Sequence, residues 1–228
     1  GEMEDYFTLR SRLDNARVAF EGGEARVVFL GGSITHMDGW RAIISKDLQA
    51  RYPNTTFDFV DAGIPSTDST MGAARLQRDV FSRGPVDLLF VEFAVNDSTN
   101  HRTPEEMVRG MEGVIAQARN TAPNLDIVMM YFVDDDKIAT YKSGKTPEVI
   151  QNHERVAEQY GVSAIDLARE VTERIEAGEF DWEKFGGIHP APFGHEIYRA
   201  TINRLLDAAW HKPLLANAAK REHETPSE

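Results

Sequence analysis

Four short stretches of this chain carry side chains suited to nucleophilic chemistry. Gly31-Gly32-Ser33-Ile34-Thr35 directly follows the apolar run Ala25–Leu30. A small, permissive turn at the end of a strand can lift a serine hydroxyl clear of the backbone. Asp61-Ala62-Gly63-Ile64-Pro65-Ser66-Thr67 brings a glycine with a free N–H, and Ala94-Val95-Asn96-Asp97-Ser98 brings a side-chain amide. Gly186-Gly187-Ile188-His189-Pro190 brings an imidazole just before the last helical pattern. A hydroxyl, a base that can take its proton, and two donors for a negative oxygen are the ingredients of ester hydrolysis. Each stretch alone has an ordinary reading: Ser33 as a helix cap, Gly63 as relief of backbone strain, Asn96 as a turn residue, His189 as a cap beside Pro190. A phosphate-binding loop is excluded, because no Gly-Lys-Ser/Thr ending occurs and no lysine lies near Ser33.

The elements that must position these residues alternate along the chain. Strands are expected at 25–30, 56–61, 86–93, 125–132 and 162–165. Helices are expected at 6–20, 40–51, 69–81, 104–122, 147–160, 167–177 and 192–210. The helix at 104–122 is the clearest, with Pro104 and Glu105-Glu106 in its first turn and Met107, Met111, Val114, Ile115 and Ala118 on one face. Five strands separated by helices specify an α/β fold: a flavodoxin-like, three-layer α/β/α sandwich on a five-stranded parallel sheet. In such a sheet, ligands gather at the carboxyl ends of the strands, where all four stretches fall. Residues 1–216 read as one domain and 217–228 as a polar, frayed C-terminal tail.

Composition narrows the function classes. The formal net charge of −12 opposes phosphate-backbone binding and anionic membranes, so neither nucleic acid nor membrane is an expected partner. No apolar run reaches the roughly 20 residues of a membrane helix. With no cysteine there is no disulfide, thiolate metal site or cysteine nucleophile. The chain starts Gly1-Glu2-Met3 without a signal peptide ahead of it, which a processed chain would share; a secreted or periplasmic location is slightly favoured over a cytoplasmic one.

The ordered set of four stretches closely resembles the blocks of the SGNH hydrolase superfamily, the GDSL-like esterases and lipases, over about residues 25–206. The resemblance implies Ser33 as nucleophile, His189 as general base and acid, and an oxyanion hole made by the N–H groups of Ser33 and Gly63 and the Asn96 amide. It implies an acyl-enzyme route, with neither cofactor nor metal. Within the family's range, removal of acetyl groups from a carbohydrate or another small-molecule ester is the favoured activity, since the loops are polar and no broad apolar lid is present. Lipolytic and thioesterase activities, and a non-catalytic carbohydrate-binding protein on a degenerate scaffold, are the alternatives.

Two departures from the family pattern stand out. Gly31-Gly32-Ser33-Ile34 replaces Gly-Asp-Ser-Leu, and Gly186 stands three residues before His189, where the family places its acid. Three resolutions are open: Glu183 or Asp181 supplies the carboxylate, with Glu183 favoured; a backbone carbonyl orients a Ser–His dyad; or activity is lost. His36 and Asp97 are expected to line the substrate site, Asp97 with a competing role in holding the Asn96 loop. Asp134-Asp135-Asp136 reads as a solvated loop with a cation site as the alternative. Trp40, Phe132 and Tyr141 are core aromatics or sugar-stacking groups. His153 reads as a packed histidine, and His195 as structural or exposed.

Overall fold

The computed structural model describes residues 5–224 and Pro226. In chain order the elements are β1 (Phe7–Thr8), α1 (Asp14–Glu21), β2 (Glu24–Gly31), α2 (Ser33–His36), α3 (Trp40–Arg51), β3 (Thr56–Gly63), α4 (Ser69–Ala74), α5 (Leu76–Asp79) and β4 (Leu88–Val91). They continue with α6 (Ala94–Thr99), α7 (Pro104–Thr121), β5 (Asp126–Tyr131), α8 (Asp135–Lys142), α9 (Glu148–Tyr160), β6 (Ser163–Asp166), α10 (Leu167–Glu176), α11 (Trp182–Phe185) and α12 (Pro192–Ala209). One sheet has the order β1-β6-β5-β4-β2-β3. Five of its strands are parallel, as the alternating pattern requires, and helices cover both faces. On one side α4, α7 and α9 pack together; α3 packs on α12.

The sixth strand is a correction to the expected five. The segment 6–20 does not form one helix. Phe7 and Thr8 pair antiparallel with Ile165 and Ala164, closing the edge that β6 would leave open. The chain then turns through Leu13 in a left-handed conformation (φ 53°), and α1 starts at Asp14. Backbone hydrogen-bonding capacity at the sheet edge outweighed a helical apolar spacing that leaves Leu9 exposed. The expected helix 69–81 breaks at Arg75, whose buried guanidinium reaches into the ends of β2 and β3.

The core is layered by aromatic rings. Phe29 of β2 and Phe90 of β4 stack at 5.3 Å, and Trp40 of α3 meets both edge-on. Trp40 and Phe132 are fully buried, so neither is free to stack on a sugar. Burying each such ring contributes about 2–3 kcal/mol. The polar tail is not simply frayed. Arg221 N–H donates to Asn15 Oδ1 at 2.8 Å, and His223 lies 2.9 Å from Asp126 Oδ1. Thr225, Ser227 and Glu228 of that tail lie outside the described residues, as do residues 1–4. Among the described residues no helix is long and apolar enough to cross a membrane.

Candidate active site

The carboxyl ends of β2, β3 and β4 bring three of the four stretches side by side. Register sets this directly: Gly31 pairs with Gly63, and Leu30 with Val91. β2 ends at Gly31, Gly32 turns the chain, and Ser33 opens the single-turn helix α2. The connection into α12 delivers His189, whose Nε2 lies 2.9 Å from Ser33 Oγ. The two residues are 156 positions apart, so the pairing is a product of the fold.

Asn96 stands beside the nucleophile turn. A Cβ on Gly32 would come within 2.0 Å of its Nδ2, so only glycine fits there. One proton of that amide goes to the Thr67 carbonyl at 2.5 Å. An amide nitrogen carries two, which leaves the second for an oxyanion. The Gly63 N–H lies next to α2, but it donates to Asp61 Oδ1 at 2.9 Å. To serve an oxyanion it must share or exchange that partner.

His36 is exposed at the end of α2, with Nδ1 2.8 Å from Asp61 Oδ2. It is therefore an accessible group near Gly63, held by the same carboxylate. Asp97 has a different place from the substrate-lining one expected. It is wholly buried, and its carboxylate accepts from Ser69 N (2.8 Å), Ser69 Oγ (2.7 Å) and His153 Nε2 (2.7 Å). It ties the Asn96 loop to α4 and α9, and burial bars it from substrate. His153 is the packed histidine expected.

Neither proposed acid reaches His189. Asp181 caps α11 by accepting the Lys184 N–H at 2.7 Å. Glu183 is exposed in that one-turn helix, and among the described residues no carboxylate pairs with His189. Gly186 closes α11 at φ 108°, and a Cβ there would lie 2.0 Å from Ala191 N. The backbone thus has no room for the family's acid at this position.

Asp134 is also not a free ligand. It is buried, caps α8 through Lys137 N (2.9 Å), and pairs with the buried Lys137 Nζ (2.6 Å). Among the described residues no cluster of potential metal ligands occurs. Tyr141 gives its hydroxyl to Asp166. His195 is buried and structural: its Nδ1 accepts the Trp40 N–H at 2.9 Å, which caps α3. Burial pushes its pKa below the ordinary imidazole value.

Residues 29–197 match the model of the GDSL-like lipase/acylhydrolase family. The chain belongs to this family. Membership places it in the SGNH hydrolase superfamily, a group of carboxylic ester hydrolases. No curated protein sequence matches the chain. Among solved structures, a two-domain esterase (CEX) active on acetylated mannans, co-crystallized with mannopentaose, is similar at TM-score 0.78 and 23% identity. The match covers 94% of this chain and 56% of that one, so this chain spans little more than half of that esterase. A catalytic mutant of Axe2, an acetylxylan esterase from Geobacillus stearothermophilus, is similar at TM-score 0.66 and 18% identity, covering 80% of this chain and 94% of that one. BT4096, a gut microbial diltiazem-metabolizing enzyme, is similar at TM-score 0.63 and 21% identity, covering 80% and 47%. At these identities the structural similarity shows a shared fold alone.

Two residues at the site escaped the motif reading. Glu92 lies buried under the nucleophile turn, and Arg75 bridges the ends of β2 and β3. The signal for Glu92 was present: a carboxylate flanked by Val91 and Phe93 at the end of the expected strand 86–93, the most apolar of the chain.

Proposed function

We propose that this family member is a serine-dependent carbohydrate O-acetyl esterase working with a Ser33–His189 dyad. The 2.9 Å contact between Ser33 Oγ and His189 Nε2 carries this reading. His189 Nε2 takes the hydroxyl proton as Ser33 Oγ attacks the ester carbonyl, then returns it to the leaving alcohol. The Ser33 N–H and the second Asn96 amide proton stabilise the tetrahedral oxygen, joined by Gly63 N–H as it turns from Asp61. Water then cleaves the acetyl-enzyme by the reverse proton path, releasing acetate. His36, exposed next to Gly63, is suited to contact the sugar. The acetylated-mannan and acetylxylan esterases of similar fold favour an acetylated polysaccharide as the substrate class.

The missing carboxylate behind His189 favours one competing reading, a carbohydrate-binding protein without turnover. Assays with p-nitrophenyl acetate and acetylated xylan or mannan separate the two. Turnover that disappears in Ser33→Ala supports the esterase. Turnover equal in both proteins, or absent from both, overturns it. Mass spectrometry after organophosphonate treatment asks the same of Ser33 independently of the acyl group.

A further inference from the structure

The peptide unit joining Gly31 to Gly32 is gripped at both edges, by an acidic side chain on one and a basic one on the other. Its N–H donates to Glu92 Oε1 at 2.8 Å. Its carbonyl accepts Arg75 Nη2 at 3.0 Å and Ile64 N at 3.0 Å. The same Glu92 oxygen accepts Thr35 Oγ1 at 2.7 Å, so one carboxylate atom holds α2 on both sides of Ser33. A Cβ on Gly31 would approach that oxygen to 2.0 Å, so glycine there makes room for the carboxylate. Arg75 also donates to Ala62 O at 2.8 Å and Thr67 Oγ1 at 3.0 Å. Thr67 O in turn fixes the Asn96 amide. Glu92 is buried, and its hydrogen bonds go to Gly32 N and Thr35 Oγ1, while Ser33 Oγ pairs with His189.

We propose that Glu92 and Arg75 are positioning residues that clamp the Gly31–Gly32 peptide and thereby aim the Ser33 hydroxyl and N–H. The inference rests on the esterase reading for its kinetic test. A carboxylate is a stronger acceptor for a backbone N–H than a neutral oxygen. Yet the two hydrogen bonds need only the oxygen, and a Gln carbonyl supplies that. Burial has already pushed the Glu92 carboxyl up to about 7, against the pull of Thr35, Gly32 and Arg75, so the neutral form is at home there. The clamp therefore works through geometry, and side-chain shape at position 92 is what it requires.

The test compares Glu92→Ala and Glu92→Gln on p-nitrophenyl acetate. Loosening the turn by about 1 Å costs about 10²-fold in rate. Glu92→Ala should lose about that in kcat, with KM within about threefold of wild type, because the substrate's contacts are elsewhere. Glu92→Gln should restore kcat to within about fivefold of wild type. Unchanged kcat in Glu92→Ala, a loss confined to KM, or a Glu92→Gln enzyme as slow as Glu92→Ala would overturn the clamp. If Glu92→Ala does not fold, Glu92→Asp replaces it: one methylene shorter, it keeps the carboxyl group but withdraws the oxygen from Gly32 N, and the same loss is expected. If wild type itself turns over no ester, the esterase reading fails by itself. The clamp is then judged by amide hydrogen exchange at residues 31–36. Exchange faster by about tenfold in Glu92→Ala but not in Glu92→Gln supports it, and equal exchange in all three overturns it.

Discussion

Gly186→Asp is the substitution that the family motif invites, since it restores a carboxylate three residues before His189. The structure gives it the opposite outcome. Gly186 has φ 108°, outside the range that a residue with a Cβ adopts readily. Holding an aspartate there costs about 1–3 kcal/mol. Its Cβ would also fall 2.0 Å from Ala191 N and 2.8 Å from Ala191 Cα, both backbone atoms that no rotamer change can clear. The Ala191 N–H now donates to Phe185 O at 3.0 Å, and moving Ala191 sacrifices that bond, about 1 kcal/mol. The combined loss is about 2–4 kcal/mol. At about 2–4 °C per kcal/mol for a chain of this size, Tm should fall by about 5–15 °C. Ala191 directly precedes α12 and lies two residues after His189, so the shift also carries the imidazole away from Ser33. Activity on p-nitrophenyl acetate should therefore fall, not rise. Differential scanning calorimetry and steady-state kinetics on the one variant decide it: a higher kcat with an unchanged Tm would refute the reasoning about position 186 and restore the triad.

Other expectations follow from the same geometry. Asn96→Ala removes one oxyanion donor and should lower kcat by about 10²–10³-fold while KM changes little, measured on any ester that wild type cleaves. Asp97→Ala leaves Ser69 and the buried His153 without their acceptor and should cost about 3 kcal/mol in urea unfolding, with KM unmoved in the variant that still folds. His195 has a folded-state pKa below its unfolded value, so the unfolded chain binds the extra proton and the stability it contributes is lost as pH falls from about 6.5. Wild type should lose more stability than His195→Gln between pH 7.5 and 5.5 in denaturant titrations. Glu92 runs the other way: its pKa is raised from 4.5 to about 7, so the folded chain holds the extra proton and stability falls as pH rises through that window. Glu92→Gln should gain on wild type by up to about 3 kcal/mol between pH 4 and pH 8, and a constant difference would contradict the raised pKa.

The sequence by itself determined the alternation of strands and helices and the parallel sheet. Apolar runs of strand length and a 3.6-residue period are local signals, and these elements obey them. It also determined the four stretches and their order, because glycine, serine, asparagine and histidine were the residue types the chemistry needs. Where tertiary contacts override local pattern, the sequence misled. Residues 6–13 have helical spacing, but the open edge of β6 takes Phe7 and Thr8 into the sheet. Asp134 looks solvated in a run of three acids, yet it is buried as the cap of α8 and the partner of Lys137.

The group behind His189 was the question that no local signal could answer. Charge and spacing nominated Glu183, but the fold leaves it exposed and spends Asp181 on its own helix. Gly186 is a glycine because the chain turns there through φ 108° against Ala191, a fact about backbone space that a motif does not encode. The same holds for Glu92 and Arg75. Their partners Gly32 and Gly31 lie 60 and 44 positions away in the chain, and only the pairing of β2 between β3 and β4 brings the two side chains to opposite edges of one peptide. The sequence supplied the reacting groups; the packing of three strand ends decided how they are held.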